Sequence, residues 1–225
     1  MTEQEWLNCT DPVAMLNFLG QKTSGRKLRL FGCACCRRIW HLLSSRRSME
    51  AIYVLERFVD TLPGGEKLPD VRRAARQAVQ DLRNENSVAH QAARAAYTAT
   101  IYGDTPGYYR VIETARLCAE AVVESSGQLT AWSAERAAQA NLLRDLFGNR
   151  FRTTEVAPAW LAWNDGIVVH LARSILENGR FEEVPILADA FEEAGCDNAD
   201  ILNHCRQPDE HVRGCWVVDL LLNKS

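Results

Sequence analysis

Cysteine and histidine gather at two places in this chain. Cys33-Ala34-Cys35-Cys36 crowds thiols into one short run, and Cys196, Cys205 and Cys215 alternate with His204 and His211 near the other end. Thiolates and neutral imidazoles are the usual ligands of zinc, which takes four of them in a tetrahedron. On a helix, side chains three or four positions apart share a face. His211 and Cys215 have that spacing, Cys205 lies six positions before His211, and either His204 or Cys196 could supply a fourth ligand. The pattern C-x5-H-x3-C therefore supplies three ligands of a structural zinc site, as an alternative to plain packing, and lacks the paired Cys-x2-Cys knuckle of the commoner zinc motifs.

Cys33 and Cys36 are also three apart, so a composite of these two with His211 and Cys215 is a second conceivable ligand set. Packing is the simpler reading of Cys33, Cys35 and Cys36. A free thiol behaves as a small hydrophobe, and these lie beside Phe31, Ile39 and Trp40. A redox role is disfavoured. The flanking Arg37 and Arg38 would activate an exposed thiol, but burial cancels that activation.

No familiar catalytic signature accompanies these groups. G-x-S-x-G, G-x-x-x-x-G-K-[ST], H-E-x-x-H and the EF-hand loop are all missing from the sequence. No cofactor is expected, with zinc the one alternative.

The basic residues form the other candidate surface. Between Pro12 and Met49 there is no acid, and the bases are Lys22, Arg26, Lys27, Arg29, Arg37, Arg38, Arg46 and Arg47. From Arg150 onward thirteen acids face seven bases. Arg26, Lys27, Arg37 and Arg38 fall on one face of the basic helix 26–47 and could contact phosphates of a nucleic acid. The overall pI near 6.0 favours pairing with acids of the same chain, for instance those of the C-terminal third.

The elements that must position these groups read as helices. Period-two runs of β-branched residues are scarce, and helical spacing dominates. Thr10-Asp11-Pro12 and Ser24 predict helix starts, leading to a helix to Gly20 and one over about 26–43. Further helices are expected over about 47–62, 70–101, 108–124 and 130–147. Asn164 or Asp165 should cap a helix to 177, another should cover 182–194, and Asn198 should cap a short one to 205. A last helix is expected over 212–222. Breaks fall at Pro63-Gly64-Gly65, at 103–107 and at Gly148, Gly179 and Gly195. The sum is an all-α fold of about eight helices in one domain spanning 1–225. A connector at 148–163 should be anchored by Trp160 and Trp163.

Two further sets of residues carry a resemblance. One joins Met1-Thr2-Glu3-Gln4-Glu5-Trp6-Leu7 to the stretch from Arg26-Lys27-Leu28 through Phe31-Gly32-Cys33-Ala34-Cys35-Cys36-Arg37-Arg38-Ile39-Trp40. The other joins Pro185-Ile186-Leu187-Ala188-Asp189-Ala190, Cys196-Asp197-Asn198-Ala199-Asp200-Ile201-Leu202 and His211-Val212-Arg213-Gly214-Cys215-Trp216-Val217-Val218-Asp219. Together they resemble a bacterial, planctomycete-type protein family with no assigned activity. The resemblance implies a soluble bacterial protein and nothing about chemistry.

The acidic start Met1-Thr2-Glu3-Gln4-Glu5-Trp6 lacks an apolar export signal, and no apolar run is long enough to span a membrane. A cytoplasmic protein with reduced thiols is therefore expected. The function these observations favour is a non-catalytic helical interaction or regulatory module with protein partners. Zinc binding and nucleic-acid binding are the alternatives.

Overall fold

The computed structural model describes residues 1–20, 23–61, 65–84, 87–101 and 108–224. Among them all regular structure is helical. None of their helices is long and apolar enough to cross a membrane. In chain order the α-helices are α1 (Glu3–Asn8), α2 (Pro12–Leu19), α3 (Gly25–Arg38), α4 (Arg46–Val59), α5 (Leu68–Asp81), α6 (Ser87–Ala99), α7 (Tyr108–Ser126) and α8 (Thr130–Phe147). They continue as α9 (Pro158–Ala162), α10 (Ile167–Asn178), α11 (Val184–Glu193), α12 (Ala199–Arg206) and α13 (Trp216–Leu221).

That exceeds the eight expected, for identifiable reasons. Short α1 and α9 carry too few turns to give a periodic pattern. The single helix expected over 70–101 is two, because a 3-10 turn over Leu82–Asn84 ends α5 before α6 begins. The sequence there, Asn84-Glu85-Asn86-Ser87, is rich in side chains that compete for backbone hydrogen bonds. Asn164 and Asp165 do not cap α10. Both adopt left-handed backbone, with φ of 45° and 55°, a conformation these residue types tolerate better than most. The expected turn at 103–107, and Pro63-Gly64, lie outside the described residues.

Other local rules hold. Asp11 Oδ1 accepts from the backbone N–H groups of Val13 (2.8 Å) and Ala14 (3.4 Å), with Pro12 opening the first turn of α2. Asp11 also pairs with Arg136. Asp11→Ala should cost about 1 kcal/mol, the usual worth of an N-cap, read as a lowered urea midpoint at unchanged slope. Gly148, Gly179 and Gly195 all follow helices with positive φ.

The chain groups into two compact units, and the division falls within α8, between Ala140 and Asn141. The first unit comprises residues 8–140 with Met1. Here α3 packs on α4, α6 and α7, and α6 packs most extensively on α7. Alanine makes that approach possible: Ala92, Ala93 and Ala96 of α6 and Ala115 and Ala119 of α7 are buried. Cys33, Cys35, Cys36 and Cys118 belong to this core.

The second unit comprises residues 141–225 with 2–7. Its core is built from Val168, Ala172 and Ile175 of α10, Leu187 and Phe191 of α11, Ile201 and Cys205 of α12, and Val217 and Val218 of α13. Trp160 of the 148–163 stretch stands edge-on to Phe191, with ring centroids 6.3 Å apart. Trp163 is half-buried.

The arginines of the basic face, and Arg47 beyond it, are paired within the first unit. Arg26 bonds Asp60 at 2.7 Å, Arg37 clasps Glu56 through two bonds of 2.9 and 2.6 Å, Arg38 meets Glu135 at 3.0 Å, and Arg47 meets Asp81 at 2.6 Å. These acids come from α4, α5 and α8 and the turn after α4. They do not come from the acidic C-terminal third, the source the charge count suggested.

Candidate metal centre

Asp145 lies in the last turns of α8 among Leu142, Leu143, Leu146 and Phe147, and its side chain is fully buried. His204 lies in the last turn of α12. That helix is started by Asn198, whose Oδ1 accepts from the N–H groups of Asp200 (3.0 Å) and Ile201 (3.2 Å). After α12 the chain turns back. The Val212 N–H donates to Asp145 Oδ2 at 3.0 Å, fixing the segment that carries His211. The Cys215 N–H closes a turn onto the Val212 carbonyl at 2.9 Å. Gly214 sits in that turn with a φ of 94°.

The expected helix over 212–222 is therefore shorter. His211 precedes it in irregular chain, and Cys215 is the residue before its first turn. The two side chains still meet, with Cys215 Sγ 4.0 Å from His211 Nδ1. The turn through Arg213-Gly214 produces the approach that helical spacing was expected to produce.

Four donor atoms converge. His211 Nδ1 is 2.7 Å from Asp145 Oδ1, His204 Nε2 is 3.2 Å from the same oxygen, and His204 Nε2 is 3.2 Å from Cys215 Sγ. One ligand atom from each of Asp145, His204, His211 and Cys215 lies within 4.8 Å of all the others. The histidine side chains are only 8% (His204) and 3% (His211) exposed. Burial alone would raise the Asp145 carboxyl pKa. Hydrogen bonds and positive charge from His204 and His211 more than offset this and hold it below the ordinary carboxylate value. Burial, followed by the charge of Asp145, pushes the Cys215 thiol well up.

The wiring separates coordination from a catalytic relay. A Cys-His-Asp relay needs the thiol on one ring nitrogen and the carboxylate on the other. Here His204 turns the same Nε2 to both Asp145 and Cys215. One ring nitrogen has a single in-plane site, a proton or a lone pair, and cannot serve both in relay. A metal ion set among the four atoms uses one lone pair from each. Tetrahedral zinc with bonds of about 2.0–2.3 Å calls for donor separations of roughly 3.3–3.6 Å; four of the separations here run from 2.7 to 4.0 Å and none exceeds 4.8 Å, so the donors would shift by some tenths of an ångström to hold the ion. Four buried protein donors match the closed ligand set that structural zinc sites use.

Of the residues expected from the sequence, His204, His211 and Cys215 are brought together, and Cys205 and Cys196 are not. Cys205 is one position beyond His204, so the helix turns it away into the apolar core, where burial and then the charge of Asp145 push its thiol pKa up to about 12. Cys196 is buried just past α11, its N–H donating to the Phe191 carbonyl at 2.9 Å. The fourth donor, Asp145, was not anticipated. Cys33 and Cys36 belong to the first unit, and the donor set is complete from the second unit alone.

The chain matches no family model, no curated protein and no solved structure. The chemistry of the site therefore rests on its own geometry.

Burial also orders the thiols by reactivity. Cys9 is half-buried, whereas Cys33, Cys35, Cys36, Cys118, Cys205 and Cys215 are buried. Burial is the main cause raising the Cys33, Cys35 and Cys118 pKa values. Alkylation of the folded protein should label Cys9 first and leave these others unmodified until denaturant is added, as peptide mapping can read. Fast labelling of Cys215 in the native chain would contradict the closed site.

Proposed function

We propose that this protein is a non-catalytic helical interaction module whose second unit is held together by one structural zinc ion. The ion is ligated by Asp145 Oδ1, His204 Nε2, His211 Nδ1 and Cys215 Sγ. The observation that carries this reading is the double approach to His204 Nε2, 3.2 Å from both the carboxylate and the thiol. A mixed nitrogen, oxygen and sulfur donor set suits zinc better than the hard cations, which take oxygen. The ion would tie α8, α12 and the 211–215 turn together.

Catalysis is disfavoured by burial, since a nucleophile must meet its substrate and the Cys215 side chain is covered. Nucleic-acid binding through Arg26, Lys27, Arg37 and Arg38 is disfavoured because the three arginines of that set each already hold a carboxylate. Protein partners on helical surfaces remain the favoured use. Protein purified without a histidine tag should contain about one zinc per chain, and Cys215→Ser should lower that content. A folded protein that neither carries nor takes up zinc would sink the reading.

A further inference from the structure

Immediately outside the four ligands, a series of contacts leads from His204 to the first helix of the chain. The Trp216 indole lies 5.1 Å from the His204 ring, centroid to centroid. Another part of the same indole covers Gly148 so closely that a Cβ there would stand 3.1 Å from the ring. The Gly148 carbonyl in turn accepts from Trp6 Nε1 at 3.0 Å, and Trp6 is fully buried.

Other bonds tie α1 to the ligand-bearing elements. Arg144, the neighbour of Asp145, donates to the Trp6 carbonyl at 3.0 Å. Arg152 bridges Glu3 of α1 (2.7 Å) and Asp200 of α12 (3.2 Å), the helix that carries His204. All of these residues belong to the second unit.

Resting on the zinc reading above, we infer that Trp6, Gly148 and Trp216 are positioning residues for the metal, so that zinc binding and the docking of α1 are coupled. Trp216 fixes the plane of the His204 ring, and with it the direction of the Nε2 lone pair. Outer groups that hold a ligating imidazole commonly govern metal affinity. Here the holding group is an indole wedged against a glycine, and the glycine is held by Trp6. Zinc that favours the aligned His204 must favour the docked α1 by the same factor that docked α1 favours zinc.

The test uses the full chain and two readouts. Trp6→Phe removes the N–H to the Gly148 carbonyl while keeping a buried ring. It should weaken zinc binding about fivefold, the equivalent of one ordinary hydrogen bond, in competition with a chromogenic chelator. Asp81→Ala in the first unit should leave zinc affinity unchanged. Hydrogen exchange on the wild-type protein should show the Trp6 amide, bonded to the Thr2 carbonyl at 2.9 Å, better protected with zinc than after stripping. If stripping unfolds the second unit, the affinity comparison decides. One zinc per chain with equal affinity in wild type and Trp6→Phe overturns the coupling and leaves the zinc reading standing. Failure of the wild type to bind zinc overturns both.

Discussion

Asp145→Ala should destabilise the second unit by roughly 3–5 kcal/mol, the cost of removing one member of a buried charged pair. The carboxylate has no solvent to replace it, since it is fully buried. Its removal takes the carboxylate from His204 Nε2 and His211 Nδ1 and the acceptor from the Val212 N–H, leaving the Cys215 sulfur beside both ring nitrogens. His211 is the most exposed to this loss. Its Nε2 is already buried without a partner among the described residues, so the ring would be left with the Cys215 sulfur, 4.0 Å from Nδ1. On the proposed zinc reading, loss of the ion would add to the cost, because the binding energy of a structural metal is also folding energy. Asp145→Asn separates the two contributions. It keeps an acceptor for Val212 but weakens the metal site, so it should retain more stability than alanine while losing zinc. Urea unfolding followed by tryptophan fluorescence, with zinc content measured in parallel, checks both. Wild-type stability in Asp145→Ala would mean the cluster holds nothing together.

Gly65→Ala should cost about 3 kcal/mol or more, at the upper end of what overpacking does. A Cβ at Gly65 would stand 2.4 Å from Phe58 Cα and 2.7 Å from Phe58 N. Those are backbone atoms of α4, so no rotamer change can relieve the clash, and α4 or the Gly65–Lys67 turn must move. Gly25→Ala is the control. A Cβ there meets nothing within 4 Å at the start of α3, so alanine should be neutral or slightly stabilising through its better helix propensity. Thermal melts of the two variants should differ clearly. Equal melting temperatures would show that α4 yields at this point.

Where the chain obeys short-range rules, the sequence predicts it well. Asp11, Ser24 and Asn198 cap the helices assigned to them, and Gly148, Gly179 and Gly195 end theirs. These depend on a few neighbouring residues. Periodicity misleads at 70–101, where continuous helix-forming residues hide a break, and at 212–222, where the helix starts only at Trp216. His204, His211 and Cys215 could be found by type. Asp145 could not be found by spacing, because it is joined to them only by the fold. One signal was available: an acid among Leu142, Leu143, Leu146 and Phe147 is an expensive charge to bury, and such a charge needs a partner. Cys205 is the opposite case. It had the right type and neighbourhood, but the rotation of α12 sends it to the core one step past His204.

The paired arginines of α3 and α4 also determine how the protein looks from a distance. Each of Arg26, Arg37, Arg38 and Arg47 stands beside its own carboxylate. An approaching polyanion therefore meets these pairs as dipoles rather than as a row of monopoles. The potential of a dipole falls with the square of distance, and salt screens it further beyond about 8 Å. These residues can contribute little to long-range steering. A charge reversal such as Arg37→Glu would alter the far field and also place two carboxylates against each other. The exchange of Arg37 and Glu56 is the cleaner probe, because it inverts the dipole while keeping the pair.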